Sequence, residues 1–257
     1  MSELLTRLRE ILAALSASDP TCKRFGAAQH RYELAPPLSE AELASVDERL
    51  GAELPEDYVD YVTRFSAGGV GPYYGLLRPD RTVAFVINAP AGVSVWQRAL
   101  PLVHLGCGYA AVMPVDGPAI GQIWIDARQL QIVSPIRPTF TAFYLDWIDR
   151  LAHSQWLDAF VPPGRCAIMT ALSGYLGVCE QRLGIPAGSL AGEPLREALA
   201  DLGPGSIEVT ADETLALFER GDRVDPCVAC ARALQGLGEQ GLRADVVAPG
   251  VPPLPAR

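Results

Sequence analysis

The chain reads as an α+β protein with a mainly antiparallel sheet flanked by helices. Three observations predict this class. Helical patterns come first, then a run of short apolar segments, then a helix, so the element types are segregated along the chain rather than alternating. The segments between Leu100 and Ser134 are strand-sized and punctuated by Gly, Pro and Asp. The links between them are short, which favours antiparallel pairing, because parallel strands need crossovers of a dozen residues or more.

The first 18 residues carry Leu4, Leu5, Leu8, Ile11, Leu12 and Leu15 at helical spacing, which predicts an amphipathic helix packed on the domain. Glu3, Arg7, Arg9 and Glu10 interrupt any secretory apolar core, so no signal peptide is read here. Ser18 to Arg31 reads as loop, and Tyr32 to Leu34 as a short extended piece. Ser39, with Glu42 three residues on, predicts a capping box opening a helix to about Leu50. Gly51 stops it. Leu54-Pro55-Glu56-Asp57 opens the next helix, with Tyr58, Tyr61, Val62 and Phe65 as its core face. Strands are expected at 73–77, 82–87, 100–105, 109–115, 120–126 and 130–134. Gly106-Cys107-Gly108 is read as a turn and Asp116-Gly117 as a hairpin. Thr139 then opens a helix with Phe140, Phe143, Tyr144, Trp147, Ile148 and Leu151 inward, extending toward Phe160.

Val161-Pro162-Pro163-Gly164 marks a break. The expected domains are therefore 1–160 and a mostly helical C-terminal extension, 161–257, packed on the first or folded apart. Helices are expected at 166–183, 193–202 and 227–240. Short extended pieces are expected at 207–210, 215–219 and 243–247, followed by a Pro-rich tail.

A length of 257 residues with 49% hydrophobic and 20% charged residues is enough for a packed core. No apolar run approaches the roughly 18 residues a bilayer span needs. The formal net charge is −9, which disfavours direct nucleic acid binding and favours a basic partner. Acidity is concentrated between Glu33 and Asp60, where nine carboxylates face one basic residue, Arg49. Six cysteines in a chain of this length are too sparse for a secreted disulfide scaffold, so reduced thiols and a cytoplasmic location are expected.

No catalytic constellation emerges. The three histidines, His30, His104 and His153, are scattered, and His104 lies in an apolar strand as a core or edge residue. There is no HExxH, phosphate loop or GxGxxG. Cys227-Val228-Ala229-Cys230 places two thiols on one helix face. A second pair at zinc-ligand spacing is absent, since Cys166 and Cys179 are separated by a non-motif interval. The favoured reading is structural thiols, with metal binding and thiol redox chemistry as alternatives. Cys107 is read as a small residue tolerated in a tight turn. No metal ligand and no cofactor are assigned.

Residues 38–150 resemble the SUKH superfamily, which includes bacterial immunity proteins and the fungal cell-wall-assembly regulator family. The match is carried in order by LGAELPEDYVDYVTRFSAGG, YYGLL, LPLVHLGCGYAAVMPVDGPAIGQIWID and FYLDWID. One departure is that Ser66-Ala67 stands where many members have Asn before the Gly pair, which puts in doubt any role of that Asn. The resemblance implies a non-enzymatic module whose partner is a cognate toxin, often a nuclease, blocked at its active site. Candidate contacts are Glu42, Asp47, Glu56, Asp57 and Asp60 on the acidic helices, with Tyr73, Tyr74, Asp116, Trp124 and Asp126 near the sheet. The rival readings are a zinc or redox protein built on Cys227 and Cys230, and a regulatory scaffold.

Overall fold

The computed structural model describes residues 2–82, 87–155, 157–161, 166–208, 223–243 and 246–248. They form two compact units: residues 1–105 with 109–158, and residues 106–108 with 159–257.

The first unit is α+β, as expected. It opens with α1 (Ser2–Ser18), whose Leu5, Leu8, Leu12 and Leu15 are buried. A four-residue turn of helix, α2 (Ala27–His30), occupies the region expected to be loop. Next come α3 (Glu40–Leu50) and α4 (Glu56–Arg64). The capping box forms: the Ser39 hydroxyl accepts from the Glu42 N–H, and the Glu42 carboxylate accepts from the Ser39 N–H at 2.7 Å. Gly51 ends α3 at φ 61°, a left-handed conformation that costs glycine little. Pro55 precedes α4, and Tyr58, Tyr61, Val62 and Phe65 are all buried.

Ser66 is fully buried, and its hydroxyl donates to the carbonyls of Ala35 and Gly68. Ser66 thus organises the Gly-rich bend through its hydroxyl. Gly69 sits at φ 88°, and a Cβ there would lie 2.4 Å from the Glu33 carbonyl. Only glycine lets the chain pass this close. The strand expected at 73–77 is reduced to one bridging residue: Leu34 pairs Gly69, Gly69 pairs Leu76, and Leu76 pairs Val103. The left-handed φ of Tyr73 (54°) and Gly75 (98°) breaks extended geometry just before Leu76.

A short helix, α5 (Pro79–Thr82), follows. The strand expected at 82–87 lies largely outside the described residues. The sheet then runs β1 (Ile87–Asn88), β2 (Arg98–Gly106), β3 (Tyr109–Pro114), β4 (Ile123–Ala127) and β5 (Ile132–Arg137), with spatial order equal to sequence order. The ladders β1–β2, β3–β4 and β4–β5 are antiparallel, as short links favour. Every residue of β3 and β4 is buried, so alternation cannot be read from their sequence.

The Asp116-Gly117 pair does not make a two-residue hairpin. The β3–β4 connection spans residues 115–122, and the Asp116 carboxylate reaches back to the N–H groups of Gln97 and Arg98 (2.6 and 3.0 Å) and to the Arg98 guanidinium. Three strong donors outcompete the local turn.

Helix α6 (Phe140–Ala152) closes the unit. Thr139 caps it, and the six predicted residues are buried. Phe140 packs against Tyr58 and Tyr61 (ring centroids 4.8 and 4.9 Å), and Tyr144 against Tyr61 and Trp147 (4.9 and 5.2 Å). Edge-on rings of this kind add roughly 0.5–1.5 kcal/mol per pair beyond area burial. The helix ends at Ala152 rather than near Phe160. Beyond it, Asp158 takes the Arg137 and Arg150 guanidinium groups, which also share Asp146.

The second unit contains α7 (Ala167–Leu183), α8 (Gly192–Ala200), β6 (Ile207–Glu208), α9 (Val228–Gly238) and β7 (Val247–Ala248). The two strands pair in parallel. Tyr175 on α7 donates to the Ala198 carbonyl of α8. The Glu180 carboxylate holds the Gly188 and Leu190 N–H groups at 3.0 Å each, fixing the α7–α8 connection. The extended piece expected at 215–219, the residues 209–210 of another, most of the tail and residues 244–245 lie outside the described residues. Among the described residues, no helix is long and apolar enough to cross a membrane.

Candidate functional site: a four-thiol cluster and an acidic face

The feature with the most defined chemistry lies in the second unit. Cys107, Cys166, Cys227 and Cys230 converge so that their sulfur atoms all lie within 4.8 Å of one another. Cys166–Cys227 are 3.4 Å apart and Cys107–Cys230 3.7 Å. Cys166, Cys227 and Cys230 are buried and Cys107 is half-buried; none is joined in a disulfide.

Local structure explains how each sulfur arrives. Cys107 sits at φ 54° between Gly106 (φ 90°) and Gly108 (φ 79°), a left-handed turn that projects it as a single outstanding side chain. A Cβ on Gly106 would fall 2.3 Å from the Pro226 carbonyl and 2.5 Å from the Cys227 backbone, so glycine permits the approach. The Cys107 N–H donates to the Asp225 carbonyl at 2.6 Å, and the Cys227 N–H donates to the Cys107 sulfur at 3.2 Å. Cys166 is the N-cap of α7 and Cys227 the N-cap of α9; neither sulfur caps its own helix. Cys230 lies one turn into α9, where the x₂ spacing returns it to the face of Cys227.

Thiol crowding splits the acidities. Hydrogen bonding from Cys107 draws the Cys227 thiol below its ordinary value. Bonds to Cys166, Cys227 and Cys230 push Cys107 up. At Cys230 the Cys107 contact opposes, but the bonds to Cys166 and Cys227 prevail and raise it. Of these three thiols, Cys227 is the most readily ionised.

Sequence reasoning singled out Cys227 and Cys230 and assigned no metal ligand. It missed Cys166 and Cys107 as their neighbours because spacing rules search for pairs. The available signals were the isolated Gly-Cys-Gly turn and two cysteines at positions where Ser, Thr, Asp or Asn would cap a helix better.

The predicted contact residues fall into three groups. Glu42 and Glu56 are exposed, Glu42 being engaged in the capping box and paired with Arg78 at 3.7 Å. Asp47, Asp57 and Asp60 are half-buried: burial raises the Asp47 carboxyl, Asp57 accepts the Thr141 N–H, and Asp60 pairs with Arg64. Tyr74 and Asp116 are also half-buried; Tyr74 stacks on His104 at 5.0 Å, and Asp116 is occupied by the β2 backbone. Tyr73, Trp124 and Asp126 are buried at 4%, 8% and 4% exposure, which corrects their assignment to a contact surface. The Tyr73 hydroxyl donates to the Asp158 carbonyl, Trp124 packs edge-on to Trp96, and Asp126 is paired with Arg128.

No protein-family model and no curated protein sequence matches this chain. Glu40, Glu42, Glu48, Glu53 and Glu56 are all exposed along α3, α4 and their connection.

Proposed function

We propose that the first unit is a non-enzymatic protein-binding module of the SUKH type, acting as an immunity protein that covers the basic active site of a cognate toxin. The observation that supports this best is the exposed carboxylate series Glu40, Glu42, Glu48, Glu53 and Glu56, accompanied over residues 33–60 by a single basic residue. Such an excess of negative charge over one stretch attracts a basic, phosphate-binding surface and accelerates encounter with it. The antiparallel sheet flanked by helices is the α+β arrangement that this reading requires. A regulatory scaffold would use the same surface on a different partner.

The test is co-expression with candidate toxin domains, taken first from any toxin gene found in the neighbourhood of this one. The chain is expected to restore growth and to co-purify with the toxin. Glu48→Lys combined with Glu53→Lys and Glu56→Lys is expected to slow association at low salt by about tenfold or more. Unchanged protection by this triple variant would sink the electrostatic reading. Capture of a non-toxin partner by the same surface would support the scaffold.

A further inference from the structure

The geometry points to a structural zinc site of four thiolates, Cys107, Cys166, Cys227 and Cys230, in the second unit. A tetrahedral zinc with Zn–S bonds of 2.3 Å has sulfur–sulfur edges of about 3.8 Å. Cys166–Cys227 at 3.4 Å and Cys107–Cys230 at 3.7 Å lie near that edge, and no pair exceeds 4.8 Å. Closing the set around an ion therefore takes small sulfur displacements and no rebuilding of the backbone.

Three further features fit a bound cation–thiolate centre rather than a packed thiol core. The Cys227 N–H already donates to the Cys107 sulfur, the interaction that stabilises a metal-bound thiolate. Cys166 and Cys227 stand at the N-termini of α7 and α9, helices of 17 and 11 residues, whose dipoles favour the negative charge that four thiolates leave on the centre. Both N-cap positions also forgo a capping hydrogen bond, and the sulfurs turn toward each other instead.

The closed set decides the role. Four protein ligands leave no open coordination position, and Cys166, Cys227 and Cys230 are buried, so the ion holds structure and does not activate water. It ties three segments distant in sequence: Cys166 and Cys227 are separated by 61 positions, and Cys107 and Cys230 by 123. Ligand binding is an exchange of thiol protons for the ion, with no change of oxidation state.

The full chain, purified without a polyhistidine tag under reducing conditions, is expected to carry about one zinc per molecule that survives dialysis. Replacing zinc with cobalt is expected to give the intense sulfur-to-cobalt charge-transfer absorption of a tetrahedral tetrathiolate. Cys107→Ser and Cys166→Ser are expected to lower zinc retention severalfold, and Cys22→Ser and Cys179→Ser to leave it unchanged. The cobalt spectrum of the unsubstituted chain keeps the test valid if a ligand variant fails to fold. A folded, metal-free chain overturns the site, whether its thiols are free or joined in two disulfides. So do stoichiometric iron in place of zinc, or full zinc retention in Cys107→Ser.

Discussion

His30 and His104 show how single residues tie this fold to pH. The His30 Nδ1 accepts the Tyr32 N–H at 3.1 Å, so the ring is neutral with its proton on Nε2. Burial lowers its pKa to about 4 against the opposing charge of Asp19. Burial alone lowers that of His104 to about 3, beneath the stacked Tyr74 ring. Both are neutral in folded and unfolded chains above about pH 6.5, where their contribution to stability is complete. Below that value the unfolded chain takes protons that the native chain refuses. Stability is therefore expected to fall by about 1.4 kcal/mol per pH unit per histidine as pH drops from about 6.5 toward 4. Carboxylates with lowered pKa, such as Asp19, Asp116 and Asp146, act only below about pH 4. Urea midpoints across this window test the sign and slope. His30→Gln should roughly halve the slope, and an unchanged slope would refute burial as its cause. The site residues teach a related lesson. Trp124 and Asp126 were visible as chemistry in the sequence, but their burial was not, because β4 is covered on both faces and period-two alternation carries no information there.

At the scale of elements, capped helices were the most legible part of the chain. Ser39, Thr139, Gly51 and the aromatic spacing of Phe140 to Leu151 are local signals, and each has its predicted partner in the fold. Ser39→Ala removes a side-chain acceptor from the α3 N-terminus and is expected to cost about 1 kcal/mol in chemical unfolding, with Ser39→Thr retaining most of the stability. Strands and turns were less legible because their geometry depends on distant partners. Asp116-Gly117 carries a hairpin signature, yet the Gln97 and Arg98 N–H groups claim the Asp116 side chain. The strand at 73–77 failed for a local reason that sequence does not declare, the left-handed backbone at Tyr73.

At the scale of the molecule, the chain divides into two units, and residues 106–108 group with the second although Gly106 is the last residue of β2. The expected division at residue 160 places them in the first. Gly106→Ala tests the dependence of the thiol cluster on this tip. The new Cβ would meet the Pro226 carbonyl at 2.3 Å in a φ that disfavours alanine, so Cys107 is expected to be displaced from the cluster. A several-fold rise in its alkylation rate by an exposed-thiol reagent would report that displacement, and an unchanged rate would count against it. Such a variant leaves the acidic residues of α3 and α4 untouched, so the proposed partner binding and thiol accessibility can be scored apart.

The sequence by itself determined the α+β class, the helix boundaries set by caps, the aromatic core face of α6 and the acidic character of residues 33–60. These depend on periodicity, capping and composition, which act over a few residues. Only the tertiary structure decided which side chains are buried around β3 and β4, that Asp116 serves the backbone of β2, and that Cys107 and Cys166 join Cys227 and Cys230. The reason is physical: a site assembled from three remote segments depends on the close approach that Gly106 allows and on the placement of two helix N-termini, and neither leaves a periodic trace in the chain.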